Sequence, residues 1–349
     1  MKAARLHAYK QAPAIAEVPE PELSGPFDII VRIAGAGVCR TDLHIIDGMM
    51  DQALGHPRLP YTIGHENAGW VERTGSAVTT LKRGDPVVLH PLVTCGLCAE
   101  CRAGNDSHCT NRMFPGLDGA DGGYAELLKT SERAAVKLEP GTDPASLAPF
   151  SDAGLTAYHA TKKVAGLAHA GTTVVVIGVG GLGHFGVQLL RAMTPARVVA
   201  IDNQTDRLAF ARSLGADEAV AAGTDGGLEA VLDLTGGRGA ELVIDYVGEH
   251  GTPDSAVRML RDGGTYSVVG YGGALMTTTL EMINREIHIL GNKVGTHNEL
   301  VELMALAHQG RVKIEAHRYP LVEVADVLRE FEAGRIMGRA VLVPNGDHA

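Results

Sequence analysis

Thr173-Val174-Val175-Val176-Ile177-Gly178-Val179-Gly180-Gly181-Leu182-Gly183-His184-Phe185-Gly186-Val187-Gln188-Leu189-Leu190 decides the fold. Its first five residues form an apolar run without polar alternation, as in a strand buried on both faces. A glycine-rich turn follows and opens a helical segment through Phe185–Leu190. In a strand, turn and helix the pattern G-x-G-x-x-G has a mechanical meaning. Gly178 permits the tight turn, Gly180 lets backbone approach a pyrophosphate, and Gly183 allows close packing of helix on strand. Alone the pattern is weak, since a chain with 44 glycines matches it by chance; the flanking elements give it weight. Gly178, Gly180, Gly181 and Gly183 are therefore the candidate dinucleotide turn.

The next apolar run, Arg197–Ile201, ends at Asp202. An acidic side chain about twenty residues beyond the motif accepts hydrogen bonds from the adenosine ribose hydroxyls and repels a 2′-phosphate. This favours NAD over NADP. A simple cap on the following helix is the competing reading of Asp202.

Further runs at Leu242–Ile244, Thr265–Val269 and Glu286–Leu290 alternate with helix-like segments, which predicts an α/β doubly wound parallel sheet. Upstream, from Lys2 to about Ser151, short strands at 27–33, 69–72, 86–89 and 124–128 lie between Gly and Pro clusters, the pattern of an irregular β-rich domain. Beyond Gly295 a helix over 298–307, a strand near Ile314, a helix over 324–331 and a strand over 340–343 add no further wound unit. That tail is expected to rejoin the first domain. The predicted organisation is 1–153 with 296–349 as one domain, and 154–295 as an inserted dinucleotide domain.

With 349 residues, a prior of about one domain per 150 residues accommodates this plan. Hydrophobic residues at 45% and charged residues at 21% exclude disordered and fibrous classes. A net charge of -10 argues against general affinity for nucleic acid or an anionic membrane. No apolar run is long enough to span a bilayer and no targeting segment is visible, so a cytoplasmic protein is expected.

Five cysteines stand at 39, 95, 98, 101 and 109, four of them within fifteen residues. The spacing Cys95-x2-Cys98-x2-Cys101-x7-Cys109 suits a closed tetrathiolate zinc site, which has no open position and is structural. An iron–sulfur cluster or a nucleic-acid ribbon is the competing reading; the spacing does not repeat a ferredoxin run, and the chain lacks a basic stripe. Cys39 stands apart. A lone cysteine is usually a small buried hydrophobe, and its meaning depends on Gly64-His65-Glu66-Asn67-Ala68-Gly69.

Together these residues resemble the zinc-dependent medium-chain alcohol dehydrogenase family over essentially the whole chain. The family's zinc signature is matched by Gly64, His65, Glu66, Gly69, Gly75 and Val78. The resemblance implies a GroES-like catalytic domain with a Rossmann domain inserted in it. It implies two zinc ions per chain, one catalytic on Cys39, His65 and a third ligand, one structural on Cys95, Cys98, Cys101 and Cys109. At the third position, commonly cysteine, this chain has Asp152, as in the branch using aspartate there; a helix cap is the competing reading. Glu66 is an alternate or fourth ligand by the same resemblance, and Asp42 a partner that orients His65.

The implied chemistry is reversible hydride transfer between an alcohol, secondary by resemblance to the Asp-ligand branch, and NAD. A metal with an open position lowers the alcohol's pKa so that hydride can leave for the nicotinamide. Thr41 and His44 are implied as the route by which the proton leaves, with His44 at the surface or else only lining the cleft. Thr156, Arg207 and Arg339 are implied contacts to nicotinamide, ribose and pyrophosphate. His44, Trp70, Lys293 and Val294 are candidate pocket residues. The implied partners are a small alcohol or carbonyl substrate and further copies of the chain, as homodimer or homotetramer, with 286–290 as a pairing edge. A polyol or sugar dehydrogenase of the same superfamily is the nearest rival, and a non-catalytic protein binding NAD and zinc is the rival from another class.

Overall fold

The computed structural model describes residues 1–51, 55–56 and 59–346. The chain divides into two compact units, Met1–Leu155 with Gly295–Ala305 and the segment from Ile314 on, and Thr156–Val294 with Leu306–Lys313.

In the first unit the strands are β1 (Lys2–Leu6), β2 (Ala14–Glu17), β3 (Asp28–Gly37), β4 (Tyr61–Thr62), β5 (Glu66–Thr74), β6 (Pro86–Leu89), β7 (Leu127–Ser131) and β8 (Ala135–Lys137). The helices α1 (Arg40–Ile46) and α2 (Ala99–Arg102) lie between them, and α3 (Ala153–Ala165) leads out of the unit. β3 is the spine: it pairs antiparallel with β5, β7 and the last strand of the chain, and its C-terminal half is buried throughout. The strand predicted over 124–128 begins later, at Leu127. Tyr124 instead exchanges main-chain bonds with two neighbours, receiving the Ala4 N–H at 2.7 Å and donating to Ile63 O at 3.1 Å.

The second unit carries β9 (Thr173–Ile177), β10 (Arg197–Asp202), β11 (Glu218–Ala221), β12 (Ala240–Asp245), β13 (Leu260–Val268) and β14 (His288–Gly291). Its helices are α4 (Gly183–Met193), α5 (Thr205–Ser213), α6 (Leu228–Leu234), α7 (Thr252–Met259) and α8 (Thr279–Arg285). Among the described residues these strands form one parallel sheet in the order β11-β10-β9-β12-β13-β14. Strand order reverses between β9 and β12, the kind of switch point where α/β sheets take ligands at the strands' C-terminal ends. The period-2 geometry of a strand explains the continuous apolar runs. Val174, Val176, Val198, Ala200, Leu242 and Ile244 pack with Val187 and Leu190 of α4. Val175, Ile177, Val199, Ile201 and Val243 pack with Val231 of α6 and Val257 of α7. β14 starts two residues later than predicted because Glu286 takes a left-handed conformation, φ 48°, to close α8.

The chain then returns through α9 (His297–His308), β15 (Ala316–Pro320), α10 (Val324–Glu332) and β16 (Arg339–Val343). β16 lies between β15 and β3, so the tail completes the first unit's sheet, β15-β16-β3-β5-β6-β8, with β7 also on β3. One piece of the tail does otherwise. Leu306–Lys313, expected with the first domain, groups with the second unit, because the Gln188 amide donates to Lys313 O and accepts from Lys313 N, both at 2.8 Å, and Arg311 donates to Ala192 O. Among the described residues no helix is long and apolar enough to cross a membrane.

Candidate metal centres and nucleotide site

Cys39, His65, Glu66 and Asp152 come from three separate segments: the turn after β3, the entry to β5, and the residue before α3. One ligand atom from each lies within 4.8 Å of the others, and all four residues are buried. His65 is flanked by carboxylates, with Asp42 Oδ1 3.3 Å from Nδ1 and Asp152 Oδ2 3.4 Å from Nε2. Neither ring nitrogen makes a hydrogen bond of good geometry among the described residues. Burial disfavours charge on the ring, but Asp42, together with Asp152, more than offsets it and holds the imidazole well above the usual histidine range. The pocket is therefore built to surround a positive charge. A thiol, an imidazole and carboxylates brought this close fit a borderline-soft divalent ion such as zinc.

Glu66 has a divided role. Its Oε1 accepts the Ala153 N–H at 3.2 Å, and its Oε2 is ion-paired with the guanidinium of Arg339, 1% exposed on β16. Burial pushes the Glu66 carboxyl up to about 7, against the pull of Arg339. Arg339, implied as a pyrophosphate contact, thus has a carboxylate partner within its own unit.

The second cluster is the loop of Cys95, Cys98, Cys101 and Cys109, whose sulfurs likewise lie within 4.8 Å of one another, with no disulfide. The backbone N–H groups of Leu97 and Cys98 point at Cys95 Sγ, at 3.5 and 3.4 Å, and hold that thiol down at about 6. Burial and the neighbouring sulfurs push Cys101 up to about 12. Four sulfurs this close cannot all ionise without a cation among them, which is what a tetrathiolate zinc site supplies.

In the second unit the glycine turn connects β9 to α4 as the motif requires. Gly178 has φ 83°, and a Cβ on Gly183 would stand 1.7 Å from Gly178 O. Nothing in the protein demands glycine at 180, where an added Cβ meets only Arg207 Nη1 at 3.8 Å. That open space beside a helix N-terminus fits a pyrophosphate. Asp202 ends β10 and is 5% exposed. Its Oδ2 accepts the Val179 N–H at 2.8 Å and its Oδ1 the Gln204 N–H at 3.0 Å, while Arg207 Nη1 stands 3.9 Å away.

Known proteins resemble this chain in sequence and fold. Residues 25–140 match the model of the alcohol dehydrogenase GroES-like domain, and residues 181–309 that of the zinc-binding dehydrogenases. The structure of an alcohol dehydrogenase from Aeropyrum pernix is similar with TM-score 0.96 and 48% identity, covering 99% of this chain and 100% of that one. An NAD-dependent alcohol dehydrogenase of Sulfolobus acidocaldarius is 31% identical, over 98% of this chain and 99% of its own. A D-arabinose 1-dehydrogenase (NADP(+)) of Saccharolobus solfataricus is 33% identical, over 98% and 97%.

The chain belongs to the zinc-dependent medium-chain alcohol dehydrogenases.

In this dehydrogenase the remaining named residues fall as follows. Thr41 and His44 lie three apart on α1, hence on one side of it. His44 is 7% exposed, so the expectation of a surface histidine is corrected. Thr156 is buried on α3. Trp70, named for the pocket, packs against Ala34, Ala145 and Val343 with the Arg32 guanidinium 4.7 Å over its ring, and that cluster accounts for it. Sequence reading misses Tyr124, whose hydroxyl donates to Asp42 Oδ2 at 2.7 Å, and Ser151, whose hydroxyl accepts the Asn67 N–H at 3.0 Å beside the ligands. Neither belongs to a local spacing pattern.

Cys98→Ser should lower folded yield and thermal stability before it alters the kcat of the molecules that survive, because a closed thiolate site contributes to folding but offers substrate no place. Equal losses of kcat and yield in purified, folded C98S would contradict the structural role.

Proposed function

We propose that this dehydrogenase interconverts a secondary alcohol and its ketone using NAD, with one zinc on Cys39, His65 and Asp152 and a second on the four-cysteine loop. The observation that carries the reading is the convergence of a buried thiol, imidazole and carboxylates around a place that favours positive charge. Zinc at the first centre supplies a Lewis acid that polarises the substrate oxygen, and NAD supplies the hydride acceptor.

The chain's own residues do the rest. Asp42 faces the Nδ1 edge of His65 at 3.3 Å, where it orients the ring by charge. Asp152 contributes a carboxylate where many relatives of this enzyme class use a thiolate, keeping the formal charge while offering a harder oxygen donor. Asp202 receives the ribose hydroxyls beside the glycine turn. Thr41 and His44 serve the route by which the proton leaves, with a ribose hydroxyl of the bound cofactor between them, since a hydroxyl donates and accepts at once and an imidazole can take up a proton. Glu66, held by Arg339, stands in reserve as a further ligand. His44→Gln should slow alcohol oxidation by roughly tenfold or more at neutral pH, with the deficit shrinking as pH rises and hydroxide takes the proton directly. A small basic buffer should restore part of the rate. A pH–rate profile superimposable on wild type would demote His44 to a pocket wall.

A polyol or sugar substrate is the second reading, favoured by the arabinose dehydrogenase among the relatives. NADH formation across primary, secondary, cyclic and polyol alcohols decides between the two. The highest kcat/KM on a polyol overturns the first, and no turnover of any alcohol with either cofactor overturns both. β14 is the sheet's last strand and pairs only with β13 among the described residues, which supports a homodimer formed by edge pairing. The free thiols of the four-cysteine loop suit a reducing cytoplasm.

A further inference from the structure

Asp42 divides its two oxygens between two tasks. Oδ1 faces His65 Nδ1 at 3.3 Å, while Oδ2 accepts the Cys39 N–H at 2.9 Å and the Tyr124 hydroxyl at 2.7 Å. Asp42 and Tyr124 are both 0% exposed, so these bonds lie out of reach of bulk solvent. A carboxylate on a helix has a soft terminal torsion. With only the Cys39 N–H on one oxygen, the group could still pivot and lose its alignment with the imidazole. The phenol adds a second bond to the same oxygen and restricts that freedom.

Tyr124 is itself held on several sides. Its main chain bonds to Ala4 and Ile63, its hydroxyl also lies 3.3 Å from Gly37 O at the end of β3, and its ring covers Gly64, where an added Cβ would stand 2.2 Å from Tyr124 Cδ1. Gly64 directly precedes His65. One side chain therefore touches the end of β3, the first turn of α1 and the segment bearing His65, which are the elements that deliver two of the ligands. The ring serves packing. The hydroxyl serves Asp42 and Gly37 O.

We propose that Tyr124 is a positioning residue of the first metal centre: its hydroxyl fixes the Asp42 carboxylate so that Oδ1 aligns His65 and Oδ2 holds the Cys39 turn. This rests on the reading of Cys39, His65 and Asp152 as the zinc ligands. Second-neighbour partners of metal-bound histidines typically change metal affinity by about 10- to 100-fold, and Tyr124, one bond further out, acts at the lower end of that range.

The test is zinc release from the whole enzyme to an excess of a chromogenic chelator, in wild type, Tyr124→Phe, Asp42→Asn and the double variant. Tyr124→Phe keeps the ring and removes only the hydroxyl. Release from the first centre should be on the order of tenfold faster in Y124F, with release from the four-cysteine loop unchanged as an internal control. The double variant should be no faster than D42N alone, because the phenol acts through the carboxylate. Cobalt substituted at the first centre should show a shifted visible spectrum in Y124F. Release and cobalt spectra identical to wild type overturn the inference, as does a double variant in which the two effects simply multiply. If Y124F is recovered only unfolded while D42N holds its zinc as tightly as wild type, the hydroxyl is structural and the inference fails. Wild type that binds no zinc at Cys39, His65 and Asp152 overturns the underlying metal reading instead, a result separable from the others.

Discussion

His65→Ala and Cys39→Ser are each expected to abolish nearly all turnover and to lower zinc from about two ions per chain to about one. Each deletes one of the three proposed zinc donors from a buried cluster in which both Glu66 oxygens already have partners, Arg339 and the Ala153 N–H. The lost Lewis acid is worth several kcal/mol of barrier, which at about 1.4 kcal/mol per tenfold corresponds to a loss on the order of a thousandfold or more in kcat. The fold should survive, because the four-cysteine zinc is untouched and the second unit has its own core. Metal analysis alongside kcat makes the measurement. Near-normal turnover in chain stripped of the first zinc would sink the mechanism, and retention of both zincs in H65A would misplace the centre.

Asp202→Asn is expected to move cofactor preference toward NADP. Asparagine keeps an oxygen for the Val179 N–H and so holds the glycine turn, loses the bond from the Gln204 N–H, and removes the charge that repels a 2′-phosphate. Alanine would release that turn as well and confound the result. A hydrogen bond to a charged group contributes roughly 1.5–3 kcal/mol, so about a tenfold or greater fall in kcat/KM with NAD should accompany a gain with NADP. Arg207, 3.9 Å from the carboxylate, is then positioned to meet the extra phosphate. The readout is kcat/KM for both cofactors at fixed ionic strength, since the effect is electrostatic. Wild type that already prefers NADP, or a ratio unmoved by the substitution, removes Asp202 from the ribose.

The wound sheet is legible in the sequence because burial on both faces leaves a signature in β9, β10 and β12, which carry near-continuous apolar runs. β11 does not, because its four residues, Glu218–Ala221, form a partly exposed edge on which nothing compels an apolar run. β1, β2 and β4 are hidden for a different reason, being strands of five, four and two residues, too short to display a period. The thiolate loop can be read from spacing, since all four sulfurs lie within fifteen residues. The first centre cannot. Its convergence joins segments around residues 39, 65 and 152, and in the sequence only the family resemblance links them. Tyr124 and Arg339 are harder still. Each acts on a residue far along the chain, 82 positions away for Asp42 and 273 for Glu66, and no local periodicity encodes such a pair.

That last separation governs the order in which the enzyme can be made. Glu66 is buried against a guanidinium that leaves the ribosome 273 residues later, on a strand that inserts between β15 and β3. Until then the nascent chain holds a carboxylate that burial alone would penalise, beside a β3 edge without its neighbour. The second unit's sheet lies wholly within Thr156–Val294, has no such dependence on β16 and can close while the tail is still being synthesised. The metal centre is encoded first and finished last, and a ribosome stalled just before the codon for Arg339 would hold a nucleotide-binding unit attached to an unsealed metal pocket.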